Sequence, residues 1–533
     1  MKINYITITL LVLLFSAYLP AQPSARLEET MEDLLRRQKL AGAVWTTVQR
    51  DSIITQSAGI KNLETGERLQ QTDKVHVGSI TKTVLALGIL RLATHDKVKL
   101  DQPVKDLLPA LPLLNPWEST DPVTVRHLLD HTSGLSDLRI WHFFSSTATP
   151  HTPLSAFYTS NPDVLKVRAR PGSFFAYSNM GYTLLGMIIE QITGQPYETY
   201  LDEQLLKPVG MYNSTFRYLS QEGRNKTADL AMGHFDDGSL APAIPIYLRP
   251  AGQFTTTARD MGILLQFLLN KGRLVGVPFI DSTYFDNYGK PAYTIACKNG
   301  LPNGYALGAM RRDRYGVVGL THSGNIIGYK AMLYLFPGEK KGFFIAHNMD
   351  SETADYEIFN ETLIGYLDIN RQNAFSYRLC STDTLKKWEG FYIPAITKIE
   401  PFQLMDMVSG VTKVRMTDNG MVMAPFQKTE VQLSHTGNRL FQAGGKIDPS
   451  VLLYENEQQL YLTTGTSTLQ KVSRWKIFLL SLSCLLGLGG LFLVLFSGLY
   501  QALKFKSKFF SRPVAWCFTG YVILIISCIT IAL

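Results

Sequence analysis

The chain has 533 residues, of which 46% are hydrophobic and 18% charged, and this is enough apolar material for two or three domains. Its net charge is +8, but residues 471–533 hold seven Lys or Arg and no acid, so residues 1–470 carry only +1. The basic charge therefore belongs to the C-terminal end, and the composition gives no reason to expect nucleic-acid binding.

The N-terminus has the pattern of a secretory signal. Lys2 precedes an apolar run over residues 6–15, and the small residues Ala17 and Ala21 follow before the sequence becomes polar. This pattern predicts that residues 1–21 are a signal peptide and that the rest of the chain is exported. The alternative is an N-terminal membrane anchor that is retained.

The first predicted elements are a helix over 27–39 and a hairpin of strands 43–49 and 53–57. The apolar run 84–90 then predicts a buried helix that begins at or just before Ser79, which places Lys82 one turn later on the same face.

Ser79 and Lys82 are therefore candidates for a nucleophile and its neighbouring amine. A helix N-terminus favours developing negative charge, and a buried lysine has reason to lose its proton. The alternative is an ordinary helix cap followed by a surface lysine.

The middle of the chain predicts helices over 124–129, 182–192, 201–206 and 255–270. Before the second of these, Tyr177 and Asn179 lie two residues apart, so both point to one side of an extended loop. A tyrosine beside a cationic lysine can lose its proton more readily and act as a general base, while an asparagine amide can hold a substrate carbonyl. The alternative is a structural tyrosine and a turn asparagine.

Three predicted strands, 317–322, 329–336 and 342–347, precede a helix over 356–367. The order of elements implies one sheet built from both ends of the domain, with a helical block inserted. His322, Ser323 and Gly324 end one strand just before the next, and a glycine there lets a substrate backbone lie along the edge. The alternative for this triplet is a hairpin turn.

Short alternating segments with turn signals predict a small antiparallel β domain over 382–470 with no residues that suggest chemistry. The uncharged apolar stretches 477–500 and 514–533 are each long enough to span a membrane. The loop between them contains Lys504, Lys506, Lys508 and Arg512 and is predicted to be cytoplasmic, so the preceding domains face outward.

Of the five cysteines, Cys297 and Cys380 lie in the exported part, and their spacing does not decide whether they pair. No His/Cys cluster has the spacing of metal ligands, so we expect neither a metal nor a cofactor.

Taken together, the motifs resemble the serine β-lactamase and penicillin-binding-protein superfamily, specifically its class C branch. That branch includes class C β-lactamases, D-alanyl-D-alanine carboxypeptidases, D-aminopeptidases and esterases. The resemblance covers about residues 27–370, within a predicted domain over 26–372, and runs through residues 78–82, 126–135, 177–182, 208–211, 251–252, 258–260 and 322–324. It implies an α/β fold with an all-helical lobe and the site between the two.

The resemblance also implies roles for particular residues. Ser79 would be the acylated nucleophile, and Lys82 and Tyr177 the proton-transfer pair. Asn179 would bind the substrate together with the 322–324 segment. The backbone N–H groups of Ser79 and Asn325 would form the oxyanion hole. His131 is predicted to be structural, in a loop away from the site.

His322 departs from the family pattern, because β-lactamases carry lysine there. A neutral histidine is a weaker anchor for a substrate carboxylate than an ammonium, so peptidase or esterase chemistry is at least as plausible as antibiotic hydrolysis. We therefore expect a membrane-anchored extracytoplasmic serine hydrolase of the cell envelope, with a small-molecule or peptide substrate, including one derived from the cell wall. The alternatives are a non-catalytic sensor or binding protein and a scaffold that works through its β domain.

Overall fold

The computed structural model describes residues 23–143, 145, 147–372, 382–397, 403–418, 420–505, 518–520 and 522. The predicted signal peptide, Cys380 and almost all of the predicted span 514–533 lie outside these residues, so the expectations about them stay predictions.

The strands of the N-terminal two thirds of the chain are β1 (Gly42–Gln49), β2 (Ser52–Asn62), β3 (Glu67–Arg68), β4 (Lys74–His76), β5 (Thr255–Thr257), β6 (Arg273–Leu274), β7 (Val277–Pro278), β8 (Gly304–Ala306), β9 (Ala309–Arg314), β10 (Val317–Ile326), β11 (Tyr329–Phe336) and β12 (Lys341–His347).

Eight of these strands form one antiparallel sheet in the order β3-β2-β1-β12-β11-β10-β9-β8. The centre joins the two ends of the domain, because β1 pairs with β12 in a register that sets Trp45 opposite Ile345. The prediction of one sheet with an inserted helical block is confirmed. The strand predicted over 317–322 runs on to Ile326, so the 322–324 triplet lies inside β10 and the hairpin turn follows it.

The helices are α1 (Pro23–Gln38), α2 (Thr81–Thr94), α3 (Val104–Leu107), α4 (Val125–Leu129), α5 (Ala156–Thr159), α6 (Asn179–Thr193), α7 (Tyr197–Leu201), α8 (Lys207–Val209), α9 (Arg249–Gly252), α10 (Ala258–Leu269), α11 (Thr283–Asp286), α12 (Ile295–Lys298), α13 (Glu357–Tyr366), α14 (Gln403–Ser409) and α15 (Arg474–Phe505).

Local capping explains where two of the helices begin. The Ser178 side chain accepts a hydrogen bond from the N–H of Gly181, so α6 starts at Asn179, earlier than predicted. The helix predicted over 255–270 begins only at Ala258, because Thr255–Thr257 is the strand β5 and the Thr257 side chain caps α10. Threonine is β-branched and favours the extended conformation, and β4 pairs with these three residues as the neighbouring strand.

The sheet separates two apolar cores. On one face α1 and α13 bury Met31 and Phe359 against Trp45. On the other face the helical block surrounds α2, whose residues are nearly all buried. This second core carries the segment with Ser79, so the helical lobe and the sheet edge together determine the position of that residue.

The predicted β domain is a closed barrel of eight antiparallel strands, with β20 pairing back to β13. Its interior is filled by side chains that include Trp388, Tyr392 and Phe441. The strands are β13 (Gly390–Pro394), β14 (Thr412–Thr417), β15 (Gly420–Pro425), β16 (Val431–Gly437), β17 (Leu440–Ala443), β18 (Val451–Asn456), β19 (Gln459–Thr463) and β20 (Thr468–Val472).

The chain continues directly from the barrel into α15. Within it, residues Arg474–Tyr500 form a helix that is long and apolar enough to cross a membrane, judged by length and composition. Two such helices were predicted, and among the described residues this is the one that meets the criterion.

Candidate active site

The turn that carries Ser79 is held by close backbone packing. Gly78–Ile80 form a tight 3-10 turn that runs into α2, and Gly78 has a φ of +49°. A Cβ on Gly78 would lie 2.7 Å from the backbone N of Asn325, and one on Gly324 would lie 1.8 Å from the Val77 carbonyl oxygen. Glycine at both positions therefore lets β10 lie directly against the Ser79 turn.

Lys82 is fully buried beside that turn. Its Nζ is 3.0 Å from Ser79 Oγ, 2.7 Å from Asn179 Oδ1 and 2.6 Å from the Ala251 carbonyl oxygen. Burial lowers the pKa of Lys82 to about 7, although the charge of Asp137 opposes this. In the unprotonated form, two N–H groups can donate to the amide and carbonyl oxygens while the lone pair faces the Ser79 hydroxyl.

The Tyr177 phenol also lies beside the Ser79 hydroxyl, whose interaction with it lowers the pKa of the phenol. Lys82 Nζ lies 5.0 Å from the centre of the Tyr177 ring. Burial raises the pKa of this phenol above its usual value, and the nearby Asp137 carboxylate raises it further. The expectation that Tyr177 loses its proton more readily is therefore wrong, because a partly neutral lysine cannot offset the loss of hydration.

Asn179 is positioned by a residue that the sequence did not indicate. Asp137 Oδ1 accepts hydrogen bonds from the Asn179 backbone N–H at 3.0 Å and from its Nδ2 at 2.6 Å. The backbone N–H and the side-chain amide of Asn179 thus donate to the same carboxylate. This orients the side chain so that its Oδ1 faces Lys82. No motif marks Asp137, because its loop has neither helical nor strand periodicity.

His322 is buried, and both of its ring nitrogens have hydrogen-bond partners within the protein. Its Nδ1 lies 2.7 Å from the Ser323 carbonyl oxygen and its Nε2 lies 2.9 Å from the Tyr305 hydroxyl. A carbonyl can only accept, so Nδ1 carries the proton and Nε2 accepts from Tyr305. Burial and the charge of Lys82 lower the pKa of His322 to about 3, so the ring is neutral at pH 7.

The other predicted substrate-binding residues of β10 divide between the two faces of the sheet. Ser323 is paired with Met332 and lines a cavity of about 190 Å³ together with Ile345, on the α1 and α13 face. The structure therefore does not bring the Ser323 side chain to Ser79. Gly324 and the backbone of Asn325 lie at the Ser79 turn. That Gly324 also admits a substrate backbone stays a prediction.

His131 is closer to the site than predicted. It has a φ of +56°, and its Nδ1 accepts a hydrogen bond from the Ser178 backbone N–H at 3.1 Å. Its ring centre lies 4.2 Å from that of Tyr177 and 4.6 Å from that of Tyr305. His131 is thus structural, as predicted, but it forms the support behind Tyr177 instead of lying in a distant loop.

Within the described ranges, no three His, Cys, Asp or Glu side chains are grouped so that they could hold a metal ion. What the site brings together is a hydroxyl, a buried amine, a protonated phenol and an amide. Such a set can transfer protons around a nucleophilic oxygen without a bound cofactor.

Comparison with known proteins agrees with this geometry. The Beta-lactamase family matches residues 27–363, which hold every residue of the site. Protein flp of Staphylococcus aureus (strain N315) is 24% identical over 333 residues, which cover 61% of this chain and 63% of flp. Esterase EstB of Burkholderia gladioli is 29% identical over 210 residues, 37% of this chain and 52% of EstB. The chain thus spans less than two thirds of the length of these relatives.

The fold is also shared with solved structures. The octameric penicillin-binding protein homologue from Pyrococcus abyssi superposes with a TM-score of 0.56 at 22% identity, and the match covers 84% of this chain and 100% of that one. At this identity the likeness concerns the fold alone. The family match extends over more than half of the chain and includes the Ser79, Tyr177 and His322 segments. The chain therefore belongs to the beta-lactamase family, within the serine β-lactamase and penicillin-binding-protein superfamily.

Proposed function

We propose that this protein is a serine hydrolase that cleaves an amide or ester through an acyl-enzyme on Ser79. The observation that carries the proposal is the fully buried Lys82 amine, 3.0 Å from the Ser79 hydroxyl. Because burial lowers the pKa of Lys82 to about 7, a large share of the amine is unprotonated near neutral pH. An unprotonated amine can accept the hydroxyl proton and so activate the oxygen.

In the acylation step, Ser79 Oγ forms a bond to the substrate carbonyl carbon and its proton passes to Lys82. The backbone N–H groups of Ser79 and Asn325 are assigned to the oxygen that becomes negative, where fixed donors have their largest effect. Asn179 holds the substrate amide or carbonyl beside them.

Collapse of the tetrahedral intermediate needs an acid at the leaving atom. Tyr177 keeps its proton because its pKa is raised, so the phenol is suited to give that proton to the leaving nitrogen or oxygen. The Lys82 ammonium, which lies 5.0 Å from the centre of the Tyr177 ring, then returns the proton taken from Ser79 to the phenolate. Water then attacks the acyl-enzyme, and Ser79 recovers its proton as the acid product leaves.

The substrate class is narrowed by His322. A neutral, buried ring cannot pair with the carboxylate of a β-lactam or a peptide, which favours ester or peptide substrates held by other contacts. The similarity to Esterase EstB supports an ester. A peptide, including one derived from the cell wall, is the second candidate.

We also propose that the enzyme is attached to the outer side of a membrane. The side chains of Trp475, Phe478 and Leu493 on α15 are 74%, 53% and 72% exposed, so the described residues leave most of this apolar helix uncovered. Lipid is the environment that such a surface requires. With a signal peptide and a second span, the site would face away from the cytoplasm, and protease accessibility in intact cells tests this.

The deciding experiment incubates wild type and Ser79→Ala with a labelled penicillin and with a short-chain p-nitrophenyl ester, followed by intact-mass spectrometry. A slowly decaying penicilloyl adduct indicates a peptidase, rapid penicillin turnover a β-lactamase, and ester cleavage without an adduct an esterase. Each activity should be lost in Ser79→Ala. A wild type that binds ligand without adduct or turnover would overturn the proposal in favour of a non-catalytic binding protein.

A further inference from the structure

The barrel is fixed firmly against the hydrolase region. Asp313 is a buried residue, with 4% of its surface exposed. Its Oδ2 accepts hydrogen bonds from the backbone N–H groups of Ile447 and Asp448 at 2.7 and 2.8 Å. Arg311 adds an ion pair to the Asp448 carboxylate at 2.5 Å. Buried apolar contacts between Leu301 and Leu452 continue the interface. The barrel can therefore present its loops to the site at a fixed position.

One cavity, of about 650 Å³, lies between the two units and reaches the site. The hydrolase side contributes Asp137, Phe175 and Tyr177, and the barrel contributes Phe426 and Lys428 from the loop between β15 and β16. Its walls are mainly apolar, with hydroxyl groups among them. A cavity with these walls suits an organic group with an apolar body and a few polar atoms.

The position of Tyr177 indicates which part of a substrate enters this cavity. The group that gives its proton to the leaving atom must lie beside that atom. The cavity is lined by Tyr177 and not by Ser79, so it is assigned to the leaving group and not to the acyl group that stays on the serine. This step rests on the function proposed above.

The charged residues on the cavity wall indicate which charge the leaving group bears. Asp137 is committed to both N–H groups of Asn179. Lys428 is exposed, and no carboxylate of the described residues lies within ion-pair distance of its ammonium. Its loop is ordered by hydrogen bonds from Phe426 N–H to the Val411 carbonyl at 2.7 Å and from Lys428 N–H to the Pro425 carbonyl at 3.2 Å.

We propose that the leaving group is an amine or alcohol that bears a carboxylate, with its apolar body between Phe175 and Phe426 and its carboxylate on Lys428. The barrel thereby supplies the cation that position 322 does not. The preferred substrates are then N-acyl amino acids, or esters of carboxylated alcohols and phenols.

Kinetics with matched leaving groups test this proposal. Two esters share one acyl group, and one releases 4-nitrophenol while the other releases 5-hydroxy-2-nitrobenzoate, its carboxylated counterpart. The measured quantity is the ratio of kcat/KM for the carboxylated ester to that for the plain ester. Lys428→Met should lower this ratio about fivefold or more, the usual effect of losing one charge-assisted contact, and Lys428→Arg should restore most of it. Lys413→Met removes an exposed lysine of the barrel that does not line the cavity, and it should leave the ratio unchanged.

A ratio that Lys428→Met does not change would overturn the proposal. So would a preference for a leaving group that bears an ammonium, which would assign the cavity to a cation near Asp406.

A binding measurement separates this proposal from the hydrolase mechanism. Isothermal titration of the full-length Ser79→Ala protein with 5-hydroxy-2-nitrobenzoate requires no turnover, and Lys428→Met in that background should weaken binding about fivefold or more. Binding that depends on Lys428, together with a wild-type protein that shows neither an adduct nor turnover, would refute the hydrolase and retain the cavity assignment. Turnover that depends on Ser79, together with binding that does not depend on Lys428, would refute the cavity assignment and retain the hydrolase.

Discussion

The carboxylate of Asp137 accepts hydrogen bonds from the backbone and side-chain nitrogens of Asn179, at 3.0 and 2.6 Å. Its charge also raises the pKa of Lys82 against the larger effect of burial, which lowers that pKa. One side chain therefore positions the substrate-binding amide and adjusts the protonation of the amine beside the nucleophile.

The change Asp137→Asn separates these two effects, because an amide oxygen can still accept both hydrogen bonds while the negative charge is lost. Without that charge the pKa of Lys82 falls below about 7. The acidic limb of the kcat/KM profile, measured between pH 5 and 9, should therefore move to lower pH. A limb that stays in place or moves to higher pH would show that Asp137 does not act on Lys82 through its charge.

Lys82 itself should give the wild-type enzyme its dependence on pH. The amine must be unprotonated to accept a proton, and its pKa is lowered to about 7, so kcat/KM should rise as the pH increases through that value. Lys82→Met should reduce kcat by about 10³-fold or more and abolish the limb, since loss of the base from a nucleophile–base pair has effects of this size.

The matched control is Lys97→Met, on the exposed turn that follows α2. It should leave both the rate and the profile as in wild type. A Lys82→Met enzyme that retains the limb would assign the titration to another group.

The hydrogen bond from Tyr305 to His322 should stabilise the strand edge beside Ser79. Tyr305→Phe leaves the buried Nε2 of His322 without a donor, which should lower the free energy of unfolding by about 1–3 kcal/mol. Tyr288→Phe is the control, because the Tyr288 hydroxyl is equally buried and has no hydrogen-bond partner among the described residues. Denaturant titration should show Tyr288→Phe to be neutral or stabilising, and equal losses for the two variants would contradict this account.

The attachment of the barrel should depend on Asp313. Asp313→Ala leaves the N–H groups of Ile447 and Asp448 without their acceptor, and we expect a loss of about 2 kcal/mol or more in thermal or chemical unfolding. Glu430→Ala breaks an exposed pair with Arg415 on the barrel surface, which should cost at most about 1 kcal/mol. Comparable effects from both changes would mean that Asp313 is not what holds the two units together.

The sequence predicted the parts of this protein that depend on local pattern. The apolar run after Ser79 predicted a buried helix, and short alternating or apolar runs predicted the strands contributed by both ends of the domain, because burial imposes those patterns on the residues. The site residues were predicted from several motifs taken together, because this combination of residue types rarely occurs for another reason. Lys82 and Asn179 do meet in the structure, at 2.7 Å.

What could not be predicted depends on contacts between segments that are distant in the chain. Nothing local shows that Asp137 faces Asn179, or that the Tyr305 hydroxyl bonds to His322. The pKa shift of the Tyr177 phenol was predicted in the wrong direction, because burial by residues remote in sequence outweighs the effect of one neighbouring charge. The contact between the barrel and the site also joins segments that are distant in the chain, so it could not be predicted either.

The central claim, that Ser79 is the nucleophile, is tested most directly by locating the covalent adduct. Wild-type protein is quenched with acid within seconds of adding the reactive ester or labelled penicillin, digested and sequenced by tandem mass spectrometry. The account predicts one acylated peptide, with the added mass on Ser79, and none in Lys82→Met under the same conditions. An adduct on any other residue, or one that persists in Ser79→Ala, would contradict it.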